Sequence, residues 1–321
     1  MNPYTLSIDV IICTYTEARW KELTEAITSV QRQTLVANNI IVVVDHNPVL
    51  LQRIQESIPG VVVIENTGMH GLSSARNSGI AVAKSSIVVF LDDDAIAEPG
   101  WLRSLNEAFR EKQVVGVGGA VAPNWRGKQR PWFPEEFLWV VGCTYRGMLP
   151  KGAIIRNPIG ANMAFRRDVF HSAGGFRNEI GRIGTRPVGC EETELCIRIA
   201  QRWPQKKILY QPDASVLHTV SEQRATWRYF CSRCYFEGRS KAMVAQLVGT
   251  KHGLSSERSY ILKALPLGVA HGLFESLLHG DVTGLLHAGA IVAGLAMTTL
   301  GYSVGSVLSR RAKVEKATGT K

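Results

Sequence analysis

Cysteine is sparse in this 321-residue chain, and its six cysteines form no pattern typical of a disulfide framework or a zinc site. They are scattered through apolar or helical stretches, at Cys13, Cys143, Cys190, Cys196, Cys231 and Cys234. The last two form a Cys-x-x-Cys pair, but no second pair lies at the spacing of a metal site. We therefore expect reduced, packed thiols, which favours a cytosolic compartment.

The sequence also lacks internal repeats, low-complexity stretches and a recognisable targeting segment. Its first residues, Met1-Asn2-Pro3-Tyr4, have neither the basic start nor the apolar stretch of a signal peptide, so we expect folding in the cytoplasm. Hydrophobic residues make up 45% of the chain and charged residues 20%, which is the balance of an ordinary folded protein. The length allows one large or two small domains.

Acidic residues are in deficit, since 27 Asp and Glu stand against 37 Lys and Arg for a net charge of +10. The excess is regional: between Arg224 and Lys263, eight basic residues accompany two glutamates. Nucleic acid, an anionic membrane surface or a pyrophosphate-bearing substrate would each suit such a segment. Because no recognised nucleic-acid motif is present and a membrane explains the charge equally well, we predict no nucleic-acid partner.

Continuous β-branched runs mark the first half of the chain, at residues 8–13, 40–44, 61–64 and 87–91. Strands that are buried on both faces need such runs, which indicates a parallel sheet covered by helices. Segments 20–33 and 73–83 lie between the runs and are expected to supply those helices. The pattern predicts a doubly wound α/β domain.

The pattern changes beyond residue 123. Residues 124–134 are rich in Pro, Arg and Trp and predict a loop outside the core. Helices are predicted at residues 164–171, Glu191–Arg202 and 224–247. We therefore expect a first α/β half at residues 1–122, a second half of the same domain at 123–223, and a basic helix with an apolar tail at 224–321.

Polar residues end three of the predicted strands. Thr14 follows the first strand, Asp45 the second, and the run Asp92-Asp93-Asp94 the fourth. Ligands of doubly wound sheets bind beyond the carboxyl ends of the strands, so we expect these side chains to meet at one rim.

The three aspartates indicate a cation site. In an extended backbone Asp92 and Asp94 share one side and Asp93 opposes them. Two carboxylates on one side repel unless a cation lies between them, and Mg²⁺ or Mn²⁺ accepts carboxylate and phosphate oxygens together. The alternative is a helix cap before Pro99, which needs fewer than three acidic residues.

These segments together resemble family 2 glycosyltransferases with the GT-A fold. The resemblance rests on Val10-Ile-Ile-Cys-Thr-Tyr15, Asp45, Gly71-Leu-Ser-Ser-Ala-Arg-Asn-Ser-Gly79 and Phe90-Leu-Asp-Asp-Asp94, in the family's order, and it covers residue 7 to about residue 220. It implies that Thr14 and Asp45 hold the nucleobase and that Arg76 lies near the nucleotide. It further implies that Asp92 binds ribose and Asp94 binds the metal ion, Mn²⁺ or Mg²⁺.

The segment Gly189-Cys-Glu191-Glu192-Thr-Glu194-Leu-Cys-Ile-Arg198 resembles the family's Glu-Asp-x-Asp-Leu-x-x-Arg motif, whose acidic pair includes the catalytic base. Glutamate replaces the usual aspartate at positions 192 and 194, which moves each carboxylate outward by one methylene. The base is therefore expected to be either Glu191 or Glu192. The alternative is a helix N-terminus that favours acidic residues through its dipole.

Two further residues are weaker candidates. The resemblance places Asn162 on the stretch that lines the sugar and acceptor, and it places His218 where several GT-A enzymes have a third metal ligand. A lone histidine at a strand end has a structural role about as often as it binds metal, so both interpretations of His218 stay open.

The apolar tail predicts membrane association. Residues 284–309 contain no Asp, Glu, Lys or Arg, but they are rich in small residues, and Arg310 and Arg311 follow directly. A single span would place those arginines outside, against the positive-inside rule. Residues 260–279 and 284–309 are therefore expected to form a hairpin or to lie at the interface, with a soluble helical cap as the alternative. The enzyme would then lie at the cytoplasmic face of the membrane.

The resemblance implies an inverting transfer of sugar from a nucleoside-diphosphate sugar, with uridine favoured, to an acceptor hydroxyl. Membrane attachment favours a lipid-linked or cell-envelope acceptor. The alternatives are a sugar nucleotidyltransferase, which would release pyrophosphate, and a non-catalytic membrane scaffold that binds nucleotide sugar.

Overall fold

A computed structural model describes residues 6–128, 130–148, 150–181, 189–249 and 259–318, with side chains to residue 308. Eight strands form one sheet. They are β1 (Ile8–Thr14), β2 (Asn39–Val44), β3 (Val62–Glu65), β4 (Ile87–Asp92), β5 (Ala95–Ala97), β6 (Val114–Trp125), β7 (Asn162–Arg166) and β8 (Lys207–Val220). The four strands predicted in the first half are confirmed to within a residue at each end.

The sheet is mixed, with the strand order β3-β2-β1-β4-β7-β6-β8-β5. Strands β1 to β4 are mutually parallel, as their continuous apolar sequences require. Strand β7 runs antiparallel to both β4 and β6, while β8 is parallel to β6 and antiparallel to β5. The predicted α/β sheet is thus confirmed, and its second half adds the antiparallel strands.

Helices cover both faces of this sheet. They are α1 (Trp20–Gln31), α2 (Pro48–Ser57), α3 (Leu72–Val82), α4 (Trp101–Ala108), α5 (Asp168–Ala173) and α6 (Glu191–Arg202). Two apolar clusters form the core, one on each face, and successive β1 residues alternate between them: Val10 joins one and Ile11 the other. The expected boundary at residue 122 falls inside β6, so residues 1–122 and 123–223 share one sheet.

Two local predictions were wrong. Residues 164–166 belong to strand β7 rather than to the predicted helix at 164–171, because they pair with β4 or β6 in the sheet centre, and the helix α5 begins only at Asp168. The segment predicted as an outer loop contains Phe133, which is 2% exposed and packs edge-on against Phe230. Helix α7 (Trp227–Val248) covers this aromatic segment and buries it, and periodicity does not reveal such a contact between distant segments.

Beyond α7, a π-helical turn (Tyr260–Ala264) leads into α8 (Leu265–His279), and α9 (Val282–Thr318) returns alongside it. Glycines allow close helix contacts, since a Cβ at Gly284 would overlap the backbone of Gly272, and one at Gly301 would overlap Tyr235 of α7. Tyr260–His279 and Val282–Leu308 are long and apolar enough to cross a membrane, and only 17% and 22% of an apolar 18-residue window in each are buried. The helical extension with an exposed apolar surface matches the prediction.

Helices α8 and α9 form a hairpin, and a short 3₁₀ helix (Glu135–Val141) packs between this hairpin and the sheet. The buried carboxylate of Glu136 lies 3.1 Å from His287 Nε2 on α9, and its carbonyl accepts a hydrogen bond from Tyr260 at 2.6 Å. A Cβ at Gly294 would meet the ring of Phe137. The hairpin is thus packed against the α/β domain through polar and apolar contacts.

Candidate active site

The carboxyl ends of β1, β2 and β4 meet at one rim, where the structure places Thr14, Asp45 and Asp92. Thr14 and Asp92 end the central strands β1 and β4, which are adjacent in the sheet. Asp45 follows β2, and its backbone N–H donates to the Thr14 carbonyl at 2.8 Å. The predicted convergence of these three residues is confirmed.

Asp45 organises the loop that leads into α3. Its carboxylate accepts hydrogen bonds from Asn66 Nδ2 at 2.6 Å and from the Gly71 backbone N–H at 2.9 Å. His46 Nδ1 lies 2.8 Å from the same carboxylate, and its ring lies against that of His70, tilted by 33° with centroids 3.7 Å apart. These contacts fix the start of α3, and contact of Asp45 with a nucleobase stays a prediction.

Arg76 on α3 connects the two halves of the domain. Its guanidinium donates to Glu191 Oε1 at 2.9 Å and to the Gly160 carbonyl at 3.1 Å, and it reaches Asp92 Oδ1 at 3.4 Å. The side chain is almost fully buried, so its charge is poorly screened by water. One arginine thereby connects Asp92 at the end of β4 with Glu191 at the start of α6.

Asp93 and Asp94 lie in the turn between β4 and β5, rather than in the extended backbone that was predicted. Arg19, at the end of a 3₁₀ turn (Glu17–Arg19), contacts Asp93 Oδ1 at 2.7 Å and Asp94 Oδ2 at 3.3 Å. Arg224 Nη2 approaches the same Asp94 oxygen to 3.6 Å. The turn still brings Asp94 close to Asp92, and the pairing of Ala95 in β5 with His218 in β8 places the histidine beside them.

His218 Nε2 lies 3.1 Å from Asp94 Oδ1, and Cys143 Sγ lies 3.8 Å from the other ring nitrogen. Burial disfavours the charged imidazolium, but the Asp94 carboxylate outweighs burial and raises the pKa of His218 to about 10. Burial likewise opposes ionisation of Asp94, yet His218, Arg224 and Arg19 together hold the pKa of this carboxyl well below its usual range. For Asp93, burial exceeds the effect of Arg19 and raises the pKa to about 6.

Asp92, Asp94 and His218 each offer a ligand atom, and these atoms lie within 4.8 Å of one another. Two carboxylates and one imidazole fit a divalent cation such as Mn²⁺, which accepts carboxylate oxygens readily. The prediction named Asp94 and His218 as ligands, and the structure adds Asp92 to that set. A metal ion also requires a neutral imidazole, so its binding would compete with the proton of His218.

The acidic residues of α6 occupy different environments. Glu191 is buried against Arg76, whereas Glu192 makes no ion pair with any described residue. Burial and the neighbouring Glu191 raise the pKa of Glu192 to about 8. Glu194 pairs with Arg177 and Arg198, both at 2.7 Å, and is fully buried. Glu194 is thus held inside the protein by two arginines, whereas Glu191 contacts Arg76 of the rim.

The structure does not support Asn162 as a sugar contact. This residue is fully buried at the start of β7, and its Oδ1 accepts a hydrogen bond from the Trp101 indole at 2.8 Å. Its Nδ2 donates to the carbonyls of Ala120 and Ala214. Because all these polar groups are used inside the protein, Asn162 links strands and α4 instead of contacting a ligand.

Sequence reasoning missed Arg19 and Cys143. Arg19 precedes a helix with no motif around it, and Cys143 lies in an apolar segment far from His218 in the sequence. Three adjacent aspartates need nearby positive charges, and this need was the one sequence feature that pointed to a residue such as Arg19. The position of Cys143 depends on the 3₁₀ helix packing beside β8, and only the folded chain reveals it.

Comparison with known proteins identifies the family of this chain. The profile described as Glycosyl transferase family 2 matches residues 9–174. The chain belongs to glycosyltransferase family 2. A curated relative in this family, the glucosyl-dolichyl phosphate glucuronosyltransferase of Haloferax volcanii, is 34% identical over 243 residues, which are 74% of this chain and 77% of the relative.

Solved structures share the fold of this family 2 glycosyltransferase. The mannosyltransferase PcManGT from Pyrobaculum calidifontis, solved with GDP-Man and Mn²⁺, aligns with a TM-score of 0.57 at 17% identity, over 92% of this chain and 88% of that one. GalNAc-T7, solved with UDP, GalNAc and Mn²⁺, gives a TM-score of 0.56 at 17% identity, over 82% of this chain and 58% of that one. Together with the sheet, these likenesses confirm the predicted GT-A-type fold.

Proposed function

We propose that this glycosyltransferase moves a sugar from a nucleoside-diphosphate sugar to an acceptor hydroxyl with inversion of configuration. The proposal rests above all on Arg76, which contacts Asp92 at the nucleotide rim and Glu191 on α6. A donor bound along the rim would therefore have its anomeric carbon near the acidic pair. The role of Thr14 and Asp45 toward the nucleobase, with uridine favoured, is part of this proposal.

In the proposed reaction, Glu192 takes the proton from the acceptor hydroxyl while that oxygen attacks the anomeric carbon. The bond between the anomeric carbon and the diphosphate oxygen breaks on the opposite side, and the nucleoside diphosphate leaves with the electron pair. Glu191 is less suited to be the base, because Arg76 holds it at 2.9 Å. A base whose conjugate acid has a pKa near the working pH is efficient, and that of Glu192 is about 8.

Asp92, Asp94 and His218 would hold a divalent cation, with Mn²⁺ favoured over Mg²⁺ by the imidazole ligand. When bound, such an ion neutralises charge on the departing diphosphate. Arg76 would hold Glu191 and Asp92 in place around that group. The burial of Asp94 and His218 limits competing water at the site.

The acceptor is proposed to be lipid-linked. The Haloferax relative is named for action on glucosyl-dolichyl phosphate. In this chain an exposed apolar hairpin packs directly on the α/β domain, which would keep the cleft near a membrane surface where a lipid-linked acceptor resides.

The hairpin is proposed to lie in the cytoplasmic face of the membrane rather than to cross it. Helix α9 packs one side against α7, which carries Arg233 and Lys241 and is a poor neighbour in a bilayer core. Glu275 in the last part of α8 and Asp281 in the turn between α8 and α9 also disfavour full insertion. Exposed leucines beside this turn suit shallow insertion instead.

Liposome flotation tests this attachment. Leu277→Glu combined with Leu278→Glu should abolish flotation with vesicles containing anionic lipid, because both side chains are exposed near the turn. Val36→Glu is the matched control, since Val36 is equally exposed but lies on the α/β domain. Flotation that survives the double substitution would contradict insertion at the turn.

Radiolabelled-sugar transfer tests the activity. Nucleotide sugars would first be screened for thermal stabilisation of the protein with Mn²⁺ present, and the best donor would then be incubated with lipid-linked acceptors. Asp94→Ala should abolish transfer, because it removes a central ligand of the proposed cation site. Pyrophosphate release would favour a nucleotidyltransferase, while binding without transfer would favour a scaffold.

A further inference from the structure

Two arginines form ion pairs with Asp94, the proposed metal ligand. Arg19 Nη1 lies 3.3 Å and Arg224 Nη2 lies 3.6 Å from the same oxygen, Asp94 Oδ2. The other oxygen, Oδ1, faces His218 at 3.1 Å. Both carboxylate oxygens of this residue are therefore engaged, and a cation that approaches Asp94 must displace a guanidinium or share an oxygen with two of them.

A divalent cation entering alone would also meet two fixed positive charges, because an arginine side chain does not lose its proton in a protein. The side chains of Asp93 and Asp94 are only 4% and 8% exposed, so water screens this repulsion weakly. A diphosphate that arrives with the cation removes the conflict. It supplies anionic oxygens that both the cation and the guanidinium groups bind well.

The arginines are the movable partners in these contacts. Aspartate is short and lies in a tight turn, whereas arginine is long and flexible. The Arg19 side chain is 27% exposed at the end of a single 3₁₀ turn, and Arg224 is 14% exposed on the 3₁₀ turn Glu222–Ala225 that follows β8. Arg19 lies before α1 and Arg224 lies after β8, so the two guanidinium groups reach Asp94 from separate elements.

We propose that Arg19 and Arg224 are tethered counter-ions that hold Asp94 before the donor binds and then turn to its diphosphate. The metal ion and the nucleotide therefore bind cooperatively, and each arginine has a partner in both states. This inference rests on the proposed function, since it takes the cation site and the diphosphate from it.

Binding of Mn²⁺, followed by electron paramagnetic resonance, and binding of UDP and GDP, followed by calorimetry, test the proposal without any turnover. The wild-type protein should bind Mn²⁺ weakly alone and much more tightly with a nucleoside diphosphate, with reciprocal coupling. Arg19→Gln and Arg224→Gln should each tighten Mn²⁺ binding alone by roughly tenfold, as expected for loss of one nearby competing charge. Each should weaken binding of the nucleotide with Mn²⁺ by a similar factor.

Arg19→Lys is a second variant that keeps the charge but not the fork of donors. It should leave Mn²⁺ binding alone weak while lowering nucleotide affinity, so the proposal stays testable even if Arg19→Gln does not fold. Arg110→Gln is the matched control, because Arg110 is exposed and contacts only Glu107 among the described ion pairs. It should change neither affinity.

The binding measurements distinguish failure of this inference from failure of the proposed function. If wild-type protein binds Mn²⁺ with UDP or GDP but Arg19→Gln and Arg224→Gln leave both affinities unchanged, the arginines are structural and the inference is overturned. If wild-type protein binds no Mn²⁺ with either nucleotide, the cation site itself is wrong and the inference fails with it. If Arg19→Gln and Arg224→Gln bind Mn²⁺ alone more tightly than the wild-type protein and bind the nucleotide with Mn²⁺ more weakly, the inference is supported.

Discussion

Replacing Glu192 by Gln tests the assignment of the base most directly. The substitution keeps the shape of the side chain and removes its ability to accept a proton. Loss of a general base costs about 10²–10⁴-fold in rate, or roughly 3–5 kcal/mol in the barrier. We expect kcat for transfer to fall by that factor, while the KM for the donor changes little.

Glu191→Gln provides the contrast, because the structure gives it a different role. The Glu191 and Arg76 side chains are 7% and 3% exposed, and their ion pair is 2.9 Å long. Breaking a buried pair by removing one charge costs about 3–5 kcal/mol of stability. Glu191→Gln should therefore lower the midpoint of urea unfolding, whereas Glu192→Gln should not, since Glu192 forms no ion pair with a described residue.

The pH dependence supplies a second readout. The base must be ionised, so kcat/KM of the wild-type enzyme should rise with pH through about 8, and this limb should be absent in Glu192→Gln. The folded-state pKa lies above the ordinary value of 4.5. The associated stability is therefore fully present below pH 4.5 and is lost as pH rises to about 8, a loss that Glu192→Gln should remove.

The transfer assay measures product formation by radiolabelled sugar with saturating Mn²⁺, at pH values from about 6 to about 9, a window that spans the pKa of Glu192. Unfolding is followed in urea at the same pH values. A Glu192→Gln enzyme that retains transfer within threefold of wild type, taken here as roughly the limit of a minor effect, would refute the base assignment. If Glu191→Gln and Glu192→Gln lose the same factor in rate and are equally stable, the two glutamates act together in catalysis.

Two further predictions concern the framework of the site. Asn162→Ala should lower the free energy of unfolding in urea by about 1–3 kcal/mol for each polar group that it leaves unpaired, including the Trp101 indole. The KM for the donor should not rise. A raised KM at unchanged stability would show a direct sugar contact. Gly301→Val should loosen the packing of α9 on α7 and lower the thermal midpoint, because its Cβ would overlap the Tyr235 carbonyl, whereas Gly289→Ala has open space and should be neutral. Equal thermal midpoints for Gly301→Val and Gly289→Ala would contradict the close contact between α9 and α7.

The first half of the domain was predictable because its signals are local. Strands buried on both faces require unbroken β-branched runs, and the residue after each run must lie at the edge of the sheet. The positions of Thr14 and Asp92 follow from these two rules. Neither rule depends on distant contacts, so the predicted strand ends agree with the structure to within a residue.

The second half was less predictable because its elements are defined by contacts between distant segments. Residues 164–166, predicted as the start of a helix, belong to strand β7 because this strand pairs with β4 and β6. Asn162 likewise appeared as a polar candidate beside the sugar, and only its three buried partners reveal a structural role. Propensity is a weak guide where tertiary pairing determines the conformation.

The sequence by itself determined the parallel strands, their polar rim and the order of the family motifs, because periodicity and residue type are sufficient for each of these. The tertiary structure alone decided which charges meet. Arg76 reaches Glu191 across the cleft, and Arg19 and Arg224 converge on Asp94 from distant parts of the chain. Electrostatic energy depends on distance and burial, which a sequence does not contain until it is folded.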